Sequence, residues 1–179
     1  MRLITSITDS DFFGGEPLFM DYVSRHSSRG VLINEDRQVA MMEMSSLNLY
    51  KLPGGGLEEG EDRESAFVRE LREETGFDAL ILLELGYIDE HKYRNQYMQR
   101  SYCYIAKAAS EQGTAVLTED EIVLGMRLIW MSLEDAIVQM KYSIRHCDEY
   151  SEKFMLRRDL AILELAARLV DENVLTIIP

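Results

Sequence analysis

The stretch LPGGGLEEGEDRESAFVRELREETGFD, residues 52–78, decides how the rest of the chain is read. Glycines at 54, 55, 56 and 60 let a backbone approach a ligand closely, because no Cβ stands in the way. The segment behind them, EDRESAFVRELREETG, reads as a helix stopped by Gly76. On that helix Glu70, Glu73 and Glu74 stand at i, i+3 and i+4 and share one face. Phe67, Val68 and Leu71 occupy the adjoining face and pin the helix to a core. The three carboxylates are therefore expected at a rim, partly desolvated, where like charges repel more strongly than in water. A divalent cation removes that cost, and oxygen ligands at this density suit Mg²⁺ or Mn²⁺. Taken alone, the helix also reads as a solvated acidic face, which is common. The glycine loop beside it turns the reading toward a site. That loop is not a Walker loop, since no Gly-Lys-Ser/Thr follows, and it does not fit G-x-G-x-x-G.

Outward from this stretch, the chain alternates strand and helix patterns. RLITSIT reads as an edge strand, and DSDFFGGEPLFMDYVSRH as a loop with a short helix. SRGVLIN, QVAMMEM and LYKLP read as strands separated by the turns EDR and SSLN. After the helix, DALILLELGYIDEHKY and QRSYCYIAKAA form two long strands joined by a polar turn at Arg94 and Asn95. EQGTAVLTEDE reads as a loop and VLGMRLIWM as another strand. SLEDAIVQMKY is a helix started by Ser132, and residues 149–172 form a longer amphipathic helix. Strands, a helix, more strands and final helices predict an α/β fold, a mixed sheet between helices in an α/β/α sandwich.

The chain has 179 residues, of which 46% are apolar and 28% charged, enough for one domain over residues 1–179 with its core at about 25–145. No apolar run approaches the eighteen or so residues of a membrane span. Asp9 and Asp11 come too early for a signal peptide. Cys103 and Cys147 follow no metal or redox spacing and read as reduced thiols in a cytoplasmic protein. The net charge of −13 argues against long nucleic acids as partners but leaves a small anionic substrate, if a cation neutralises the site locally.

The spacing around the loop fits G-x5-E-x7-R-E-U-x-E-E-x-G-U, with U bulky and apolar, through Gly55, Glu61, Arg69, Glu70, Leu71, Glu73, Glu74, Gly76 and Phe77. Its seven specified identities, at average frequencies near 7%, arise by chance in roughly 10⁻⁸ of windows. The chain thereby resembles the Nudix hydrolase family, of the MutT-like kind. The resemblance implies a loop-helix-loop motif that binds divalent metal and hydrolyses nucleoside diphosphates linked to another moiety. By position, Glu70, Glu73 and Glu74 are the implied metal ligands, a backbone carbonyl at Gly54–Gly55 completes the site, and Arg69 with Glu61 holds the loop against the helix. The general base is implied to be a box glutamate, here Glu70 or Glu73, or a downstream loop glutamate, here Glu121 or Glu119. For those two loop residues simple solubility is an equal reading.

Other residues carry weaker signals. Lys51 and Arg29 lie near the expected cleft, where they are candidates for phosphate contacts. Tyr93, Arg94 and Tyr97 read as sheet aromatics and a surface arginine before a base-stacking group. His26, His91 and His146 have no ligand-like companions. In the resembled family ADP-ribose hydrolases often carry a proline some fifteen residues after the box, and this chain has none between Pro53 and Pro179. A nucleoside triphosphate pyrophosphohydrolase is therefore the first expectation, with ADP-ribose or a nucleotide sugar as the alternative substrate. A non-catalytic sensing module would lose box glutamates, and this box loses none. Apolar residues on more than one side of the C-terminal helix, from Leu156 to Val170, also raise the expectation of a homodimer, weighed equally against cover from the N-terminal segment.

Overall fold

Alternation along the strands sorts side chains into two cores, one on each face of the sheet. The computed structural model describes residues 1–109 and 112–171. Its elements are β1 (Leu3–Thr8), α1 (Ser10–Phe13), β2 (Arg25–Ile33), β3 (Val39–Met44), β4 (Leu49–Lys51), β5 (Gly54–Gly56), α2 (Arg63–Thr75), β6 (Ala79–Lys92), β7 (Tyr97–Ala108), α3 (Glu119–Val123), β8 (Met126–Met131), α4 (Leu133–His146) and α5 (Tyr150–Asp171). Among the described residues the strands form one eight-stranded sheet in the order β1-β6-β7-β2-β3-β4, with β5 added to β2 and β8 to β3. The sheet is mixed: β1 with β6 and β2 with β7 run parallel, and the other pairs antiparallel.

Leu32, Ala40, Tyr104 and Ala106 point to one face and pack with Phe67 and Leu71 of α2. Their sequence neighbours Val31, Ile33, Met41, Cys103 and Ile105 point to the other, against Met140 of α4 and Phe154, Ile162 and Leu163 of α5. The result is an α/β/α sandwich with α2 on one side and α4 and α5 on the other. Strand β2 pairs with β3 through Ile33 and Val39, and β3 then runs beside β8 from Val39 to Met44. Nearer its start, β2 takes β5 instead, pairing Ser27–Arg29 with Gly54–Gly56. That substitution carries the glycine loop onto the middle of the sheet.

Several elements differ from the sequence reading. The GGG segment, expected as loop, is strand β5, because its backbone completes the edge that β3 leaves on β2. Strand β2 begins at Arg25, before the SRGVLIN pattern, since β7 pairs with it from Gln99 onward. The LTEDE segment, also expected as loop, holds α3, closed by a capping box between Thr118 and Glu121. The turn at 93–95 is a 3₁₀ helix. Strand β1 is at the sheet edge as expected, parallel to β6. Helix α5 runs to Asp171, and residue 172 of the expected span and Glu111 of the expected loop lie outside the described residues. Much of the apolar surplus of α5 is covered within one chain: Leu156, Leu160, Ile162, Leu163, Leu165 and Ala166 are buried, while Val170 is 41% exposed.

Candidate active site

Helix α2 starts at Asp62, whose carboxylate accepts hydrogen bonds from the Glu64 and Ser65 N–H groups at 3.0 and 3.1 Å. It stops at Gly76, whose φ of 78° is the left-handed value that favours glycine. A Cβ at Gly76 would also meet the Gly113 carbonyl oxygen at 2.5 Å. Gly113 N–H donates to the Gly76 carbonyl at 2.8 Å, and Val116 N–H to that of Glu73 at 2.7 Å. These bonds dock the segment before α3 on the end of α2 and bring Glu121 toward the box glutamates.

Arg69 clamps the loop. Its Nε and one terminal nitrogen reach the two oxygens of Glu61 at 2.9 and 3.0 Å, and that nitrogen also donates to the Gly56 carbonyl at 2.9 Å. The Arg69 hydrogen bonds hold the Glu61 carboxyl below its ordinary value. The other terminal nitrogen bridges Glu70 and Glu73 at 3.0 and 2.9 Å. The Glu70 carboxylate lies against Gly55, where an added Cβ would come within 2.4 Å of Oε1. Burial, then the neighbouring Glu74, raises the Glu70 carboxyl. Glu73 is half exposed, with 45% of its side chain open to solvent.

Glu74 differs from the rim position expected of it. It is buried, and both oxygens are taken: Lys51 Nζ donates to Oε1 at 2.5 Å and Gly54 N–H to Oε2 at 2.7 Å. Burial raises its carboxyl, and the Lys51 charge opposes that rise. The side chain that was expected to share metal with Glu70 and Glu73 here ties the loop to β4.

These groups open on a cleft of about 1000 Å³. Gly55, Glu70, Glu73, Glu74, Glu121, Lys51 and Arg29 all line it. Glu61 stands behind the cleft, holding Arg69. Glu121 is fixed by its capping box, Oε2 accepting the Thr118 N–H at 2.8 Å. Glu119 does not line the cleft, whereas its neighbour Asp120 does. Tyr93, Arg94 and Tyr97 stand outside it. Arg94 lies on the Phe13 ring at 3.6 Å and near Asp9, so it fastens the N-terminal segment. The histidines are also elsewhere: His26 stacks on Tyr102, His91 accepts the Met20 N–H, and His146 bonds the Tyr142 carbonyl.

Sequence reasoning missed Arg25, Lys92, Gln99 and Arg158, which line the opposite wall. The available signal was in β2, where Arg25, Ser27 and Arg29 alternate on the face that later carries Val31 and Ile33.

A family model for the NUDIX domain matches residues 24–150. The chain belongs to the Nudix hydrolase family. It is 31% identical over 124 residues to diphosphoinositol polyphosphate phosphohydrolase 3-alpha of Mus musculus, covering 68% of this chain and 71% of that one. It is 33% identical over 66 residues to a putative 8-oxo-dGTP diphosphatase of Bacillus subtilis (strain 168), covering 37% of this chain and 44% of that one. The match thus spans less than half the length of the Bacillus relative. A NUDIX hydrolase from Nitrosomonas europaea shares the fold at a TM-score of 0.52 and 19% identity, covering 65% of this chain and 78% of that one. A UDP-X diphosphatase does so at 0.57 and 17%, covering 87% and 66%.

Nudix hydrolases generally need a divalent metal. The donors in the cleft fit one by chemistry, being carboxylate and carbonyl oxygens throughout. Among the described residues no three acidic, histidine or cysteine side chains form a ready cage. Cations of the chain itself occupy the carboxylates instead, Arg69 on Glu70 and Glu73, and Lys51 on Glu74.

Proposed function

We propose that the chain is a divalent-metal-dependent hydrolase that cleaves a diphosphate bond in a small, phosphate-rich molecule. The observation that carries this reading is the two-sided cleft. Glu70 lies against Gly55 on one side of β5, and Arg29 and Arg25 lie against Gly54 and Gly56 on the other, with Glu73, Glu121, Lys92 and Arg158 also lining the cleft. In this reading Glu70, Glu73, Glu74 and the Gly55 carbonyl would hold Mg²⁺ or Mn²⁺, which would supply charge neutralisation for phosphate oxygens and a more acidic water. Glu121, anchored through Oε2, takes the water proton on Oε1. Box glutamates Glu70 and Glu73 are the alternative bases. Arg69 keeps the loop in place and does not touch substrate.

Nucleoside triphosphates are the first substrate class, supported by the diphosphatase named in Bacillus subtilis. ADP-ribose and nucleotide sugars are the alternative nucleotides. A phosphorylated polyol, as in the names of the mammalian relatives, is a second reading favoured by a specific observation. Among the described residues lining the cleft there is no aromatic side chain. The usual stacking platform for a base is therefore absent from that lining. A cytoplasmic location belongs to the same proposal, supported by two free thiols at Cys103 and Cys147.

A panel of nucleoside triphosphates, ADP-ribose, nucleotide sugars and diphosphoinositol polyphosphates, assayed with Mg²⁺ and with chelator for release of the cleaved products (pyrophosphate, nucleoside monophosphate, sugar phosphate or inorganic phosphate), tests the reading. Chelator-sensitive release from at least one class supports it. No release from any of them, with Mg²⁺ or Mn²⁺, favours a binding module instead.

A further inference from the structure

Strand register builds a polar patch on the α5 side of the sheet. Arg25 pairs with Gln99 and Ser27 with Ser101, and Glu90 of β6 lies beside Gln99. Farther along the same face the side chains turn apolar, at Val31, Ile33, Cys103 and Ile105. Arg158 closes the patch from α5. Its own bonds are made, Nε to Asp159 Oδ1 at 2.8 Å and a terminal nitrogen to Glu90 Oε2 at 3.1 Å. The second Asp159 oxygen accepts the Leu52 N–H at 2.8 Å. Lys92 Nζ stands 3.7 Å from Glu90 Oε1.

Arg29 has no such arrangement. Its residue is only 6% exposed, its side chain lines the cleft, and its Nε is buried without a hydrogen-bond partner. A guanidinium held this way costs the fold stability, because water is removed and no acceptor replaces it. Four cations, Arg25, Arg29, Lys92 and Arg158, gather here with the carboxylates Glu90, Asp159 and Glu152, of which the first two already bond Arg158. Glu74, which also acts on Arg29, is paired with Lys51, so four cations against three carboxylates leave the patch one positive charge in a chain whose net charge is −13.

We propose that Arg29, flanked by Arg25 and Lys92, is an anion subsite that holds a phosphate group of the substrate other than those at the carboxylate wall. The site then selects molecules with at least one phosphate beyond the diphosphate being cleaved. The inference rests on the hydrolase reading for its purpose, but its binding step needs neither metal nor turnover.

The test is calorimetric titration of the full chain with inorganic tripolyphosphate, in buffer freed of metal over a chelating resin. The wild type binds. Arg29→Met binds at least tenfold more weakly while its thermal midpoint stays equal or rises, because a buried unpaired charge is gone. Arg127→Met, which removes an exposed arginine paired with Glu43 away from the cleft, leaves affinity unchanged. A wild type that does not bind, equal affinity in Arg29→Met, or equal weakening in Arg127→Met overturns the subsite. Should Arg29→Met fail to fold, Lys92→Met is judged by the same tenfold criterion. Tripolyphosphate binding without Mg²⁺-dependent cleavage of any member of the substrate panel would sink the hydrolase reading and leave the subsite standing.

Discussion

Glu73 and Glu74 are adjacent in sequence and opposite in energetics. Glu74 is buried with both oxygens bonded, and its partner Lys51 has only 14% of its side chain exposed. Glu74→Gln leaves that ammonium poorly compensated and should lower unfolding free energy by about 3 kcal/mol, the scale for breaking a buried pair. Glu73→Gln removes a half-exposed charge and should change stability by about 0.5 kcal/mol or less. Urea unfolding of the two variants checks this contrast, and equal stabilities would contradict it. Glu61 supplies a pH test. Arg69 lowers its folded-state pKa below the ordinary 4.5, so its contribution to stability is full above 4.5 and is lost as pH falls through the lowered value. Glu61→Gln should therefore be less stable than wild type near neutral pH, with the difference shrinking as pH falls below 4.5 and through the lowered value. A difference that grows on acidification would show that the pair does not stabilise the loop.

At the scale of elements, the loop and helix were legible because their constraints are local. The Gly76 stop, the Glu61–Arg69 spacing and the apolar stripe of Phe67 and Leu71 are all written within one turn or two. Strand β5 and helix α3 were not legible. The first exists only because β2 offers a free edge, and the second because Gly76 and Gly113 dock its approach. The cationic wall was hidden for the same reason, since Arg25, Gln99 and Glu90 meet only through strand register. The loop makes its own prediction. Gly55 has no positive φ, so alanine fits its backbone, yet a Cβ there lands on the Glu70 carboxylate. Gly55→Ala should keep its thermal midpoint within a few degrees and lose about 100-fold in turnover, the cost of displacing a reacting group by about 1 Å. Turnover within about threefold of wild type would show that the Glu70 position is not critical.

Across the whole molecule, an acidic chain concentrates several of its cations in one cleft and closes that cleft with α5. The mixed sheet and the sandwich were readable from alternating patterns, because burial on two faces imposes them, whereas the order of the strands in the sheet was not. The role of α5 was only half legible: its apolar sides raised a second copy and cover from the N-terminal segment equally, and α4, the sheet and the N-terminal Phe12 cover most of them within one chain. Light scattering at micromolar concentration should accordingly give a mass near the 20.7 kDa of one chain, and a value near twice that would reinstate the dimer. Among the described residues no helix is long and apolar enough to cross a membrane. What remains central is whether the carboxylate wall works through a divalent cation. The direct measurement is release of the cleaved product, read by chromatography, by wild type and Glu70→Gln on the best substrate of the panel, across a Mg²⁺ titration. The wild-type rate should rise with Mg²⁺ from near zero in chelator, and Glu70→Gln should be slower by at least about 100-fold at saturating cation. Release that persists in chelator, or a Glu70→Gln rate equal to wild type, would contradict the account.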